Sequence, residues 1–104
     1  MKKIKVLEKE IQKAILDWLG YNKIFHYRNA TTGIFMSNGR WKTSQSKGSP
    51  DIIAVIKGRY IGIEVKAESK KQSPAQKEFQ KNLEKAGGKY ILAYSMDEVI
   101  HALW

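Results

Sequence analysis

The chain has 104 residues, of which 42% are hydrophobic and 28% charged, a balance typical of a folded domain. This length allows one compact domain over residues 1–104 and excludes a separate regulatory module. The absence of cysteine excludes disulfides and cysteine-ligated zinc. Lysine and arginine outnumber aspartate and glutamate by 19 to 10, and the net charge of +9 favours a polyanionic partner such as nucleic acid. A charge that serves only solubility is the alternative.

No segment contains the roughly 18 apolar residues that a membrane span needs. The first five residues, Met1 to Lys5, resemble the basic start of a signal peptide, but charged residues between Glu8 and Lys13 interrupt any apolar region after it. We therefore expect an intracellular, cytoplasmic protein that is not secreted and does not engage a membrane. We also expect no organic cofactor.

An amphipathic helix is predicted at the start of the chain, ending near Gly20. Apolar residues recur there at steps of three and four: Ile4, Leu7, Ile11, Ala14, Ile15 and Trp18. At about 100° per residue, Glu10 lies near the edge of this stripe, roughly 90° from its middle. A carboxylate in that position can reach along a neighbouring sheet.

Residues 23–28 predict a short strand, and residues 29–50 read as a long loop or irregular ribbon rich in glycine, serine and asparagine. This segment also carries Phe35 and Trp41 among basic residues. A connection of this length in so small a domain is usually functional or mobile.

The rest of the chain predicts a hairpin, two helices and one more strand. Residues 51–56 and 59–66 are β-rich runs joined by Lys57-Gly58. A helix follows from Pro74 to about Ala86, then a strand over residues 89–94 and a short helix over residues 96–103. The order α-β-β-β-α-β-α predicts an α/β fold, a mixed sheet flanked by helices.

The predicted hairpin brings two carboxylates together. With Lys57-Gly58 as a two-residue turn, Asp51 falls directly opposite Glu64, and side-chain alternation puts Lys66 on the same face as Glu64. Two adjacent carboxylates need a counter-charge or a raised pKa, and a divalent cation supplies the first. A lysine beside such an ion suits metal-assisted phosphodiester hydrolysis. The alternative is a solvated hairpin face whose charges pair with lysines.

Pro50-Asp51 followed by Glu64-Val65-Lys66 resembles the PD-(D/E)XK nuclease superfamily, and more narrowly its VRR-NUC group, the virus-type replication and repair nucleases. The resemblance covers nearly the whole chain and includes Glu10, residues 47–51 and the opening of the second helix, residues 73–76. It implies a small restriction-endonuclease-like core and a Mg²⁺- or Mn²⁺-dependent DNA nuclease. It also implies a homodimer, selective for branched DNA such as Holliday junctions or flaps, with a role in DNA repair.

The resemblance also implies roles for individual residues. Asp51 and Glu64 would be metal ligands, with the Val65 backbone carbonyl as a further ligand. Lys66 would be the catalytic lysine, and Glu10 would complete the acidic cluster. Gln76 would direct its amide at the lysine or at the scissile phosphate.

Two of these roles have plainer alternatives. Ser73, Pro74 and Gln76 match a capping box, which needs no chemistry. Glu10 could simply pair with a neighbouring lysine on the helix surface.

Basic residues and one tryptophan flank the expected site and are candidates for DNA contacts: Arg28, Arg40, Trp41, Lys42, Lys47, Lys70 and Lys71. Lysine and arginine would hold phosphates without reading bases, and Trp41 could stack on an unpaired base or anchor the loop. The expected function is a metal-dependent endonuclease. The alternatives are a catalytically silent nucleic-acid-binding module and an RNA-directed nuclease.

Overall fold

The computed structural model describes residues 7–29, 33–35, 41–43 and 47–104, with backbone only for 33–35 and 41–43. The elements, in chain order, are α1 (Glu8–Tyr21), β1 (Phe25–Arg28), β2 (Gly33–Phe35), β3 (Trp41–Thr43), β4 (Ile52–Ile56), β5 (Arg59–Val65), α2 (Pro74–Lys85), β6 (Lys89–Ala93) and α3 (Met96–Leu103). Each predicted helix and strand is present, with its ends shifted by a few residues. Ile4 lies outside the described residues.

The main sheet has four strands in the order β1-β4-β5-β6. The first three are antiparallel, and β6 runs parallel to β5 after the α2 crossover. Ile56 pairs with Arg59, so Lys57 and Gly58 form a two-residue turn with φ values of 50° and 78°. Such a turn matches the twist of the strands and fixes the register of the whole hairpin. The expectation of a mixed sheet flanked by helices is confirmed.

One face of the sheet forms the hydrophobic core. Strand residues on this face pack against α1 and α3, and the buried set is Ile11, Ile15, Leu19, Ile52, Ala54, Ile61, Ile63, Val65, Ile91, Ala93 and Val99. Burying this many aliphatic side chains is the main favourable contribution to folding in a chain without disulfides.

The opposite face is covered by α2 over its β5–β6 half. A Cβ atom at Gly62 would lie 2.6 Å from Pro50 Cγ and 3.5 Å from Leu83 Cδ2, so this glycine lets both Pro50 and α2 approach β5. Tyr60, Glu64 and Tyr90 lie on this second face by strand alternation. The candidate site is therefore on the α2 side, away from the main core.

Residues 29–50 contain more regular structure than the sequence predicts. β2 and β3 form a separate antiparallel hairpin in which Ile34 pairs with Lys42. Strands of three residues give too few positions for an alternating pattern to stand out from the surrounding glycine, serine and asparagine. Among the described residues, no helix has the length and apolar character needed to cross a membrane.

Candidate metal centre

Asp51 and Glu64 lie opposite each other at the end of the β4–β5 hairpin. Ile52 pairs with Ile63, and extending this register by one residue places Asp51 across from Glu64. The predicted register of the hairpin, which puts Asp51 opposite Glu64, is therefore confirmed from Ile52 to Arg59. Asp51 contributes to the raised pKa of Glu64 through hydrogen bonding and through its negative charge, as expected for two carboxyl groups on opposed strand positions.

Glu64 is the one charged side chain among the described residues that is almost fully buried, at 2% exposure. Burial is the largest cause that raises its pKa to about 9, followed by the hydrogen bond to Asp51 and the negative charge of Asp51. The charged form of a buried carboxyl group beside a second acid is so unfavourable that Glu64 holds its proton at neutral pH. The positive charge of Lys66 lowers the pKa only in part.

Asp51 is fixed by backbone hydrogen bonds on both sides. Its Oδ2 accepts a hydrogen bond of 2.8 Å from the Val65 amide of β5. Its carbonyl oxygen accepts one from the Asn29 amide, also at 2.8 Å. Because the N–H and C=O of one strand residue point to the same side, the Val65 carbonyl also faces Asp51. Its use as a metal ligand stays a prediction.

Asn29 ties the end of β1 to the segment before Asp51. Its side-chain amide donates to Ser49 Oγ at 3.1 Å and to the Pro50 carbonyl at 2.9 Å. Sequence reasoning did not single out Asn29, since an isolated asparagine at a strand end usually marks a turn. In the fold it positions the aspartate.

Lys66 directly follows β5, half-buried, and shares the face of Glu64. Its backbone amide donates to the Ala93 carbonyl at 3.0 Å, which extends the parallel pairing with β6 by one residue. The positive charge of Lys66 lowers the pKa of the Glu64 carboxyl group. The structure thus brings together Asp51, Glu64 and Lys66.

The helix carboxylate nearest to the site is Glu8, which replaces Glu10 in the expected arrangement. Glu8 Oε1 accepts a 3.1 Å hydrogen bond from the Ala67 amide and lies 3.8 Å from Lys70 Nζ. Its negative charge also raises the pKa of Glu64. Glu10 is exposed, and no such contact to the site is seen for it among the described residues.

Helix geometry explains this difference. The buried residues of α1 are Ile11, Ile15 and Leu19. At about 100° per residue, Glu8 lies some 20° from the middle of that set, whereas Glu10 lies about 140° away. Leu19 was the missing signal, because including it in the apolar stripe rotates the predicted buried face toward Glu8.

Gln76 caps α2 as expected, but its side-chain amide contacts a different group from the one expected. Its backbone amide and side-chain oxygen complete a capping box with Ser73 at 3.2 and 2.8 Å. Its side-chain Nε2 donates to Glu64 Oε1 at 2.6 Å. Contact with the lysine or a phosphate was expected, whereas the amide is directed at the buried carboxyl group.

Tyr90 contributes a buried hydroxyl beside the same cluster. The side chain is 7% exposed, and its oxygen has no hydrogen-bond partner among the described residues. Burial raises its pKa to about 12; a contact with Gln72 lowers the pKa, and the nearby acids Glu64 and Asp51 raise it. Tyr90 therefore stays a neutral phenol on the acidic side of the sheet.

The residues of this site fit a divalent cation. Two opposed carboxyl groups are oxygen donors of the type that Mg²⁺ and Mn²⁺ prefer, and burial keeps that of Glu64 protonated until a cation offsets its charge. Within the described part of the chain, no group of three or more histidine, cysteine, aspartate or glutamate side chains could hold a metal ion. Asp51 and Glu64 would therefore bind the ion together with the Val65 carbonyl, water and substrate oxygens.

Of the predicted DNA-contacting residues, four have a described side chain and three do not. Arg28, Lys47, Lys70 and Lys71 are exposed, and Lys70 is the ion-pair partner of Glu8. Lys47 lies beside α2, where it lines a cleft of about 480 Å³ with Ala75 and Phe79. Trp41 and Lys42 belong to β3, of which only the backbone is described, and Arg40 lies outside the described residues.

Comparison with known proteins supports the fold expected from the sequence. A solved structure described as "VRR_NUC domain protein" superposes with a TM-score of 0.67 and 24% identity, over 96% of this chain and 87% of that chain. No family model and no curated protein matches the chain. The chain thus has the small α/β fold expected from the sequence, shared with this solved structure. More narrowly, the resemblance to the VRR-NUC domain is confirmed at the level of the fold.

Proposed function

We propose that this protein is a Mg²⁺- or Mn²⁺-dependent endonuclease that hydrolyses phosphodiester bonds in DNA and selects branched molecules, such as Holliday junctions or flaps. The observation that carries the proposal is the buried Glu64 carboxyl group opposite Asp51, with Lys66 beside it, in a VRR-NUC-like fold. Burying an acid that must hold a proton costs stability, and a cation bound between Glu64 and Asp51 would offset that cost.

Each side chain of the site has its own role in the proposed reaction. Asp51 and Glu64 hold the ion, and Gln76 keeps the Glu64 carboxyl group oriented through its 2.6 Å hydrogen bond. Lys66 places a positive charge where negative charge develops on the phosphate. When bound, the metal would neutralise phosphate charge and lower the pKa of a water molecule that attacks phosphorus.

The charge of the chain supports a nucleic-acid substrate. The net charge is +9 although the site itself is acidic, so the positive charge lies elsewhere. Exposed Arg28, Lys47 and Lys71 can contact phosphates without reading sequence. The protein would then select branched DNA by its shape. The proposal also includes the homodimer expected from the resemblance, an intracellular location and a role in DNA repair.

A panel of labelled substrates tests the activity. Duplex, flap and four-way-junction DNA, with RNA versions of each, are incubated with Mg²⁺, Mn²⁺ or EDTA. We expect metal-dependent cleavage of branched DNA, lost by about 100-fold or more in Lys66→Ala and kept in the exposed control Lys77→Ala. Tight binding without cleavage in any metal would instead indicate a silent binding module, and cleavage of RNA alone would indicate an RNA-directed nuclease.

Thermal unfolding tests the metal site without relying on activity. A cation that binds the folded state at 100 times its Kd adds about 2.7 kcal/mol to the free energy of unfolding. We expect Mn²⁺ to raise the Tm of the parent and to leave that of Asp51→Asn unchanged. An equal rise in both proteins would show that the ion binds elsewhere.

A further inference from the structure

Two large aromatic side chains are exposed on the edge strand of the main sheet. Phe25 and Tyr27 of β1 are 69% and 50% exposed. They are two residues apart, so they lie side by side on one face of the strand. Exposed aromatic residues on an edge strand invite unwanted association, and their presence indicates a binding surface.

These aromatic residues lie on the same sheet face as the acidic pair. Phe25 pairs with Val55 and Tyr27 with Ile53, and Asp51 is the next residue in that alternation. A strand rises about 3.3 Å per residue, so Tyr27 lies about 7 Å and Phe25 about 13 Å along the strand direction from Asp51. These separations correspond to about two to four stacked nucleotides at ~3.4 Å each.

Tyr60 of β5 adjoins the pair. Val55 pairs with Phe25 on one side and with Tyr60 on the other, so the two aromatic residues lie in one line across the strands. Burial raises the pKa of Tyr60, and the nearby Tyr27 hydroxyl raises it further. We call Phe25, Tyr27 and Tyr60 the aromatic face. Pro50 and Leu83 of α2 lie against Gly62, the residue between Tyr60 and Glu64 on this face of β5. The aromatic face therefore borders the segment that leads into Asp51 and lies toward the free edge at β1.

The charge around the aromatic face is strongly biased. β1, β4, the turn and the start of β5, with the residues that flank β1, span residues 23–29 and 51–63. These residues include four exposed basic side chains, Lys23, Arg28, Lys57 and Arg59, and a single acid, Asp51, which belongs to the site. Exposed rings with positive charge nearby and no competing acid are complementary to nucleobases linked by phosphates.

From these observations we infer that Phe25 and Tyr27 are a stacking platform for unpaired bases of the strand whose backbone lies at Asp51 and Glu64. The inference rests on the proposed function and narrows its substrate to DNA with a single-stranded segment next to the cut. Stacking tolerates any sequence, since every base has an aromatic face. A second copy of this chain fits the surface less well, because it would bring two acid-poor, basic segments together.

Binding and fluorescence experiments in EDTA test this inference separately from catalysis. Two DNAs are compared: a duplex, and the same duplex with a six-nucleotide single-stranded flap. Both are labelled with 2-aminopurine, and in the second DNA the label is in the flap. The test variant is Phe25→Leu/Tyr27→Leu, which keeps apolar volume and removes both rings. Tyr21→Leu is the matched control, since Tyr21 is an 86% exposed aromatic residue at the end of α1.

We expect the double variant to lose about five-fold or more in affinity for the flap, with little change for the duplex. The 2-aminopurine quenching seen with the parent should also disappear, while Tyr21→Leu behaves like the parent. Equal losses on both DNAs, or no loss, would overturn the inference. So would a parent dimer in sedimentation that the double variant dissociates, since the face would then be a subunit interface.

The outcome is independent of the nuclease assignment. If the flap is bound and quenched as expected but no metal supports cleavage, the proposed function fails while the stacking platform stands. If the parent cleaves branched DNA and the double variant binds both DNAs normally, the platform fails while the nuclease stands.

Discussion

The side-chain amide of Gln76 donates a 2.6 Å hydrogen bond to the buried carboxyl group of Glu64. The same side chain accepts a hydrogen bond from the Ser73 amide and thereby caps α2. One residue thus links the start of a helix to the acidic site. The orientation of Glu64 depends on where α2 begins.

Comparing Ser73→Ala with Gln76→Ala separates the two functions of Gln76. Loss of the N-cap in Ser73→Ala should cost about 1 kcal/mol of stability with cleavage kept at saturating metal and substrate. Gln76→Ala should lose similar stability and in addition lower single-turnover cleavage by about ten-fold or more, because Glu64 loses its orienting donor. Equal single-turnover rates in the two variants would mean that Gln76 acts only as a cap.

Glu8 and Glu10 offer a matched pair on one helix. Glu8 contacts the Ala67 amide and Lys70 next to the site, whereas Glu10 is exposed. We expect Glu8→Gln to reduce metal-dependent cleavage by several-fold and to alter the metal concentration needed for half-maximal rate. Glu10→Gln should match the parent in both measurements. If Glu10→Gln reduced cleavage and Glu8→Gln matched the parent, Glu10 would be the helix carboxylate of the site.

The pKa of Glu64 predicts how stability changes with pH. Unfolded Glu64 ionises near its ordinary pKa of 4.5, whereas the folded group has a pKa raised to about 9, chiefly by burial. Between these values the unfolded state gives up its proton first, so the free energy of unfolding should fall with rising pH, by up to about 1.4 kcal/mol per unit.

Replacing Glu64 with glutamine should remove this dependence. In EDTA at pH 8 we expect Glu64→Gln to be more stable than the parent by up to about 5 kcal/mol, because the variant buries no ionisable carboxyl group. The variant should nevertheless be inactive. At pH 4 the two proteins should have similar denaturant midpoints. A parent whose stability is constant from pH 5 to 9 in EDTA would contradict the raised pKa.

Gly48 anchors the segment before Asp51 against α2. Its φ is +80°, and a Cβ atom there would lie 2.3 Å from the Ala75 carbonyl oxygen. Gly58 has a similar φ of +78°, with nothing within 4 Å of such a Cβ. Gly58→Ala should therefore cost only the backbone strain, about 1 kcal/mol, whereas Gly48→Ala should cost clearly more and impair cleavage.

Urea unfolding and cleavage assays on the two glycine variants test this difference. Similar losses of stability in both would show that the contact with Ala75 relaxes easily. The comparison is informative because the two positions differ in their surroundings and share the same backbone conformation.

Local sequence patterns were enough to place most of the elements. The alternation in residues 51–56 and 59–66, with the short turn between them, specified by itself a register that puts Asp51 opposite Glu64. This worked because the spacing of side chains along paired strands is fixed by backbone geometry. The short β2–β3 hairpin was not predicted, because three-residue strands carry almost no periodic signal.

The tertiary structure decided which groups meet across elements. The direction of α1 depends on Leu19 packing against the sheet, and that packing brings Glu8 to the loop after Lys66. Asn29 and Tyr90 reach the site from β1 and β6, far from it in the sequence. Strand pairing follows repeating local geometry that the sequence displays directly, whereas the rotation of a helix and the burial of Glu64 depend on many distant contacts acting together.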